Sequence, residues 1–466
     1  MPNGAVLTGA VLTGASLTGA VLDTASTPPG GSGGVAAVPS GNQTMAGGWS
    51  PAAAMSTPRA LPMSVTLPDG SVLVAGGGNG ATVLNSAEIY DPHTGRWADI
   101  APMATPRVGG SAVLLPDGNV LVAGGTDGAQ VLSSAEIYNP RSGKWTQTGS
   151  LSHGRAFAST AVLADGTVLV AGGEGAGHTP LSSAETYNWR TGAWSPTGSL
   201  GTARVFAAIA PFSDGGALVA GGQGPNGTLA SAERYDQTAQ RWVPAAAMPG
   251  ARLMGEAVRL HDGRVLVVGG AYNAAIYDPT TGKWSQTPGM PAAVESPGVV
   301  ELPDGNVLVA GGISGGSSVA ETEVFDPATD SWANGGSLAS AVAAPALAVL
   351  PNGTVLLAGG ERAVSAAAIP PPPGPGAKAV VGGSGGEQLT SLSGSELFTP
   401  LDRQASTLPP VLYAAPSHSA SSPVASPPLS PKTGSGLAGT GEIGAAALVV
   451  LAAVGGVILR RRRRVT

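Results

Sequence analysis

Short apolar runs separated by polar turn residues recur along this chain at a nearly constant interval. The clearest copy is Leu115-Pro116-Asp117-Gly118-Asn119-Val120-Leu121-Val122-Ala123-Gly124-Gly125. Its glycine pair, 124/125, returns at 76/77, 172/173, 221/222, 269/270, 311/312 and 359/360. The steps between pairs are 48, 48, 49, 48, 42 and 48 residues. Self-similarity at such a period marks a repeat architecture, in which each unit buries its apolar face against its neighbours.

Each unit reads as four short strands. In the second copy, apolar runs at 111–115 and 120–125 flank Asp117-Gly118; a variable loop, Glu136-Ile137-Tyr138 and Trp145 follow. Asp-Gly between apolar runs predicts a tight hairpin with a type I′ turn. Pro-x-x-Gly-x-Trp, at 92–97 and 279–284, predicts a second turn into an outer strand. Four antiparallel strands repeated seven times predict an all-β chain folded as a seven-bladed β-propeller.

Ring closure is also legible. Tryptophans stand at 97, 145, 194, 242, 284 and 332, but none follows Glu396-Leu397-Phe398 of the seventh copy. Trp49 stands ahead of the first copy instead, leading into Met55 and Arg59 as Trp97 leads into Met103 and Arg107. An N-terminal strand is therefore predicted to complete blade seven and remove the open sheet edges. The propeller is expected over residues 44–400, with a Pro/Gly-rich insertion at 361–394 in blade seven.

Gly-Gly, then Glu-x-Tyr-Asp-Pro, then Trp, resembles the kelch repeat, as in the kelch propellers of galactose oxidase and of ubiquitin-ligase adaptors. The resemblance covers roughly three quarters of the chain and implies a scaffold used both by enzymes and by binding proteins. The copper site of galactose oxidase uses a cysteine cross-linked to tyrosine, and this chain has no cysteine. Its histidines (93, 153, 178, 261 and 418) follow no metal-ligand spacing, and no nucleophile–base pairing stands out. A non-enzymatic chain without cofactor is expected. A carbohydrate-active enzyme, of the galactose-oxidase-like or sialic-acid-processing type, and a structural wall protein are the alternatives.

Strand order places the loops after each Gly-Gly, the start of each first strand and the 361–394 insertion at one mouth of the propeller, with the Asp-Gly turns on the opposite face. An arginine recurs at that mouth, four residues after Met or Leu: Arg59, Arg107, Arg155, Arg204 and Arg252, with Val294 and Val342 in blades six and seven. In adaptor kelch domains that this chain resembles, arginines at this strand start bind acidic peptide motifs. The implied site is a basic arc for carboxylates, sulfates or acidic glycans. The competing reading is an internal ion pair with the Glu of Glu-x-Tyr. Ala275 replaces that Glu in blade five, and the matching of absences favours pairing of each Glu with the arginine of the next blade.

Composition narrows the setting. The formal net charge is −6, and five arginines and one glutamate in the last 26 residues leave residues 1–440 at −10, which speaks against nucleic-acid binding. Residues 1–43 open with a five-residue echo, AVLTG-AVLTG-ASLTG-AVLDT, and read as a low-complexity leader. No basic stretch precedes it as in a secretory signal. Residues 401–436 form a Pro/Ser-rich stalk.

Residues 437–466 hold Leu437-Ala438-Gly439-Thr440-Gly441, an apolar run at 443–459, and then Arg460 to Arg464. As a helix the run spans about 26 Å, near the lower limit for crossing a bilayer, with the arginines held on the cytoplasmic side. This order resembles a sortase cell-wall sorting signal, in the Leu-Ala-x-Thr-Gly form associated with high-GC Gram-positive bacteria. The resemblance implies cleavage between Thr440 and Gly441 and attachment of Thr440 to peptidoglycan, after a stage of membrane anchoring. The implied partners are sortase, peptidoglycan and an extracellular glycan or protein ligand; a monomer is expected.

Overall fold

A computed structural model describes residues 46–291, 293–364 and 388–400. The leader, most of the insertion, the stalk and the sorting segment lie outside the described residues. Within them the chain is all-β and forms seven antiparallel blades in sequence order, six of them four-stranded and blade 6 extended to five strands by its hairpin strand Ile313–Ser314.

Blade 1 shows the plan: Met63–Thr66, Val72–Ala75, Ala87–Asp91 and Arg96–Ile100, from the inner strand outward. Blades 2 to 6 repeat it over 111–147, 159–197, 208–245, 256–289 and 298–342. Blade 7 takes three strands from the C-terminal side, Ala346–Val349, Val355–Ala358 and Ser395–Pro400, and its outer strand from the N-terminal side, Gly47–Ala52. Trp49 lies opposite Phe398, with ring centroids 5.3 Å apart, in the place of the Tyr–Trp pairs of other blades at 5.0–5.2 Å. The predicted closing strand is thus in place, and no blade is left with an open seam.

The second strands are the driest part of the molecule. Val72 to Ala75 and their counterparts, such as Val120 to Val122, are buried on both faces, because each sheet is sandwiched between two others. Runs of continuous Val/Leu/Ala suit such strands, whereas one-sided burial would give alternation. Adjacent sheets are also stitched by the tryptophans. Trp97 Nε1 donates to Ala53 O, Trp145 Nε1 to Ala101 O and Trp284 Nε1 to Ala246 O, each crossing from one blade to the one before it.

The Asp-Gly turns differ from the type I′ expectation. In blade 1 the Gly70 amide bonds Leu67 O, and the Leu67 amide bonds Ser71 O. Gly70 has φ +85°, but Asp69 is not in the left-handed region. This is a type I turn followed by a left-handed glycine, the three-residue hairpin loop. Pro68 supplies the reason: its ring holds φ near −65°, which suits the first corner of a type I turn. The Asp69 carboxylate then accepts the Ser71 amide at 3.0 Å.

Candidate functional site

The mouth is built from lead-in segments and hairpins. In the lead-in segments of all blades but the fifth, the residue after the arginine position pairs with the residue after the glycine pair, as in Ala60 with Gly78, Val108 with Thr126 and Ala156 with Glu174. Above these bridges stand hairpins in blades 1 (Gly78–Asn79 with Thr82–Val83), 3, 4, 6 and 7, and a bridged loop, Thr126 with Val131, in blade 2. The described ends of the insertion, Glu361–Val364 and Gln388–Ser391, form the blade 7 hairpin.

Blade 5 breaks the ring. Only Ala271 and Tyr272 separate Gly270 from the third strand, which is where the 42-residue step falls. Tyr272 is 62 % exposed at that break.

All five arginines of the predicted arc are inside the fold, 0–2 % exposed. Arg107 is typical. Its Nη1 donates to Gly124 O and Ser134 O, and its Nη2 to Ser134 Oγ and to Glu136 Oε1 at 3.0 Å. Arg59, Arg155 and Arg204 repeat the set with Glu88, Glu185 and Glu233 at 3.0, 2.7 and 2.8 Å. Burial pulls the guanidinium pKa down in each, and the paired glutamate pushes back. Each glutamate also accepts two lead-in amides, as Glu136 does from Ala104 and Thr105. A buried ion pair persists when its remaining lone pairs are satisfied in this way.

The pairing register differs from the one expected: every Arg–Glu pair lies within one blade. The link between blades runs through the backbone of the same arginine. The Arg107 amide donates to Leu84 O of the preceding hairpin, and its carbonyl accepts the Gly77 amide at 2.8 Å. A Cβ on the first glycine of a pair would meet that carbonyl, 2.5 Å from Arg155 O in the case of Gly124, where φ is +67°. This close approach is what the repeated glycine serves.

Three blades depart from the pattern, each differently. In blade 5, Ala275 replaces the glutamate, and among the described residues Arg252 donates only to Gly269 O and Asn273 O. Burial without a carboxylate brings its pKa down to about 10. In blade 7, Val342 replaces the arginine, and Glu396 is half-buried with the Ala339 amide as donor.

In blade 6, Val294 replaces the arginine, and Pro291, which has no N–H, replaces one of the two donating amides. Glu323 Oε2 is buried there with no hydrogen-bond partner among the described residues. Burial and the Glu321 carboxylate push its carboxyl up to about 7. One residue past Val294, Glu295 stands where other blades carry Ala, Val or Leu, and burial raises its carboxyl too.

The outward charge of the mouth is consequently acidic. Beyond the Arg–Glu pairs, the hairpins and lead-in segments carry Asp127, Glu295 and Glu321 at least partly exposed, with Arg362 as an exposed cation, while Glu174 is buried against His178. The histidines stand apart, next to Asp91 (His93), Ser152 (His153), Glu174 (His178) and Glu301 (His261). Among the described residues no group of three or more His, Asp or Glu side chains could hold a metal ion. Sequence reasoning passed over Glu295 and Tyr272, although the short step and Val294 were the signals that mark them.

The Kelch motif profile matches residues 59–104, 107–152 and 297–339. No curated protein matches the chain. Among solved structures, a fungal alcohol oxidase of the AA5 family in complex with copper superposes with a TM-score of 0.59 and 18 % identity, over 76 % of each chain. The structure of YjhT superposes with a TM-score of 0.50 and 16 % identity, over 60 % of this chain and 98 % of that one. These likenesses establish a propeller built from Kelch motifs.

Proposed function

We propose that this chain is a non-enzymatic binding module displayed on the cell wall. The observation that supports it most is the asymmetry of the two faces. One carries short, uniform turns, and the other carries hairpins of differing sequence on a rigid frame, with a break at blade 5. Variable loops on a rigid scaffold are where recognition concentrates. Exit of the chain after Pro400 on the short-turn side directs the mouth away from the stalk, and the Leu437–Gly441 motif, apolar run and arginines provide attachment.

Surface display is tested by fractionating cells that express the full chain and a Thr440→Ala variant. The wild type is expected in the peptidoglycan fraction, the variant in membrane and medium; equal distribution would count against sorting. Ligand capture is tested by probing glycan and protein arrays with the same cells.

The copper alcohol oxidase favours one alternative, an oxidase. Copper in proteins is held by imidazole, thiolate and related donors brought together. This chain has no cysteine, and its four described histidines are not brought together: His93, His178 and His261 each sit beside a separate carboxylate, and His153 beside Ser152. These residues do not fit a copper site. Peroxide release from alcohols or sugars by the purified full chain would revive the oxidase reading.

A further inference from the structure

Blade 6 keeps the surroundings of a buried guanidinium but not the arginine. Four other blades show what those surroundings do. In each, arginine Nη1 lies 2.8–3.0 Å from the carbonyl of the first glycine of the pair, and Nη2 lies 2.7–3.0 Å from the glutamate. Nη1 also bonds the carbonyl at the Ser86 position, which accepts the Gly76 amide as well in blade 1. The equivalents in blade 6 are Gly311 O, Glu321 O and the Glu323 carboxylate. Glu321 O accepts the Gly311 amide, which shows the same backbone arrangement. Val294 ends well short of these acceptors, and Glu321 adds a second carboxylate where blades 1 to 4 have serine.

A second feature falls at the same place. Each of the five arginine segments is strapped by the hairpin of the blade before it, through Leu392, Leu84, Leu132, Leu181 and Leu229 carbonyls. The strap for the Val294 segment would come from blade 5, whose hairpin is cut to Ala271 and Tyr272. The strap that crosses the other arginine segments is therefore missing where the internal arginine is absent, and Glu323 is more exposed than Glu88, Glu136, Glu185 and Glu233 although its Oε2 stays buried. An unpaired buried carboxylate is costly, and natural structures rarely keep one without a purpose. A guanidinium suits it because its planar fork can bond two acceptors at once.

We propose that the notch between blades 5 and 6 receives the guanidinium of an arginine side chain from a partner polypeptide, which pairs with Glu323 as the internal arginines pair in blades 1 to 4. This deepens the binding reading by assigning the chemistry of one contact at the mouth. Exposed Tyr272, whose carbonyl accepts the Met290 amide of the lead-in segment, stands on the blade 5 side, and the acidic residues of the mouth favour the approach of a cation.

The test uses the purified full chain and N-acetyl-arginine methylamide, with N-acetyl-lysine methylamide as the comparison, followed by calorimetry. The arginine probe should bind wild type at least tenfold more tightly than the lysine probe. Glu323→Gln should weaken it at least tenfold. Val294→Arg should abolish binding and raise the melting temperature, because the chain then fills the site itself.

Absence of arginine-probe binding to wild type, or undiminished binding to folded Glu323→Gln, overturns the proposal. If Val294→Arg does not fold, the Glu323→Gln result decides. Array ligands captured equally by wild type and Val294→Arg would leave the binding reading standing and remove arginine recognition from it.

Discussion

The guanidinium of Arg107 meets Glu136 Oε1 at 3.0 Å inside blade 2, while the backbone of the same arginine is bonded to blade 1. One residue thus joins two sheets by two different parts. The arrangement repeats with Arg59, Arg155 and Arg204, which explains why a buried charge is kept at each repeat.

Arg107→Ala should therefore destabilise the protein strongly. It leaves Glu136 buried with only its two amide donors, and breaking a buried pair costs about 3–5 kcal/mol. Chemical denaturation of the purified chain measures it. A loss under 1 kcal/mol would show that the pair contributes little beyond its backbone links.

Gly124→Ala should be comparably harmful for a steric reason. The new methyl would sit 2.5 Å from Arg155 O, at a φ of +67°. The left-handed backbone costs about 1–2 kcal/mol and the overlap about 1–3 more. Gly143→Ala, also at φ +67° but with open space around it, should show the backbone part alone in the same denaturation experiment.

Trp49→Ala tests ring closure. It removes the Phe398 contact and the bond from Trp49 Nε1 to Thr322 Oγ1 at 3.0 Å. Because Trp49 is only half-buried, the cost should be about 2 kcal/mol, below the range for a fully buried tryptophan. Deleting residues 46–52 should do more, exposing the edge of Ser395–Pro400 and producing oligomers in size-exclusion chromatography. A monomeric, fully stable deletion would contradict the closing role.

Glu323 should give stability an unusual pH dependence. Its folded pKa, about 7, lies above its unfolded value. The contribution is thus fully present below the unfolded pKa and is lost as pH rises through about 7. Wild type should lose on the order of 2 kcal/mol between pH 5 and pH 8 from this group. Glu323→Gln should flatten that part of the curve of melting temperature against pH. Glu295 shifts the same way, so some slope should remain.

The repeats were legible in the sequence because each blade solves the same packing problem with the same residues. Paired glycines, continuous apolar second strands and Tyr–Trp pairs recur at positions that count directly along the chain. Trp49 was legible as the missing seventh tryptophan for the same reason. In blades 1, 2, 6 and 7 the turn type was misjudged because Asp-Gly (Asn-Gly in blade 7) was read without Pro68, Pro116, Pro303 and Pro351, whose fixed φ suits the type I corner; Ala164, Ser213 and His261 reach the same turn without it.

The arginine network shows where reading along the chain ends. The recurrence of Arg and Glu, and their absences at Ala275, Val294 and Val342, are sequence facts, and they point to an ion pair. Which arginine meets which glutamate depends on the direction a long side chain takes from a segment lying between two sheets. Matching absences chose the wrong neighbour there. The sequence by itself determined the number of blades, their strand order and the strand that closes them, since these follow from periodicity and apolar pattern. Only the tertiary structure decided that the arginines turn inward and that Glu323 lies beside a gap in the hairpin ring. Burial and pairing depend on distances across the ring, which local periodicity does not encode.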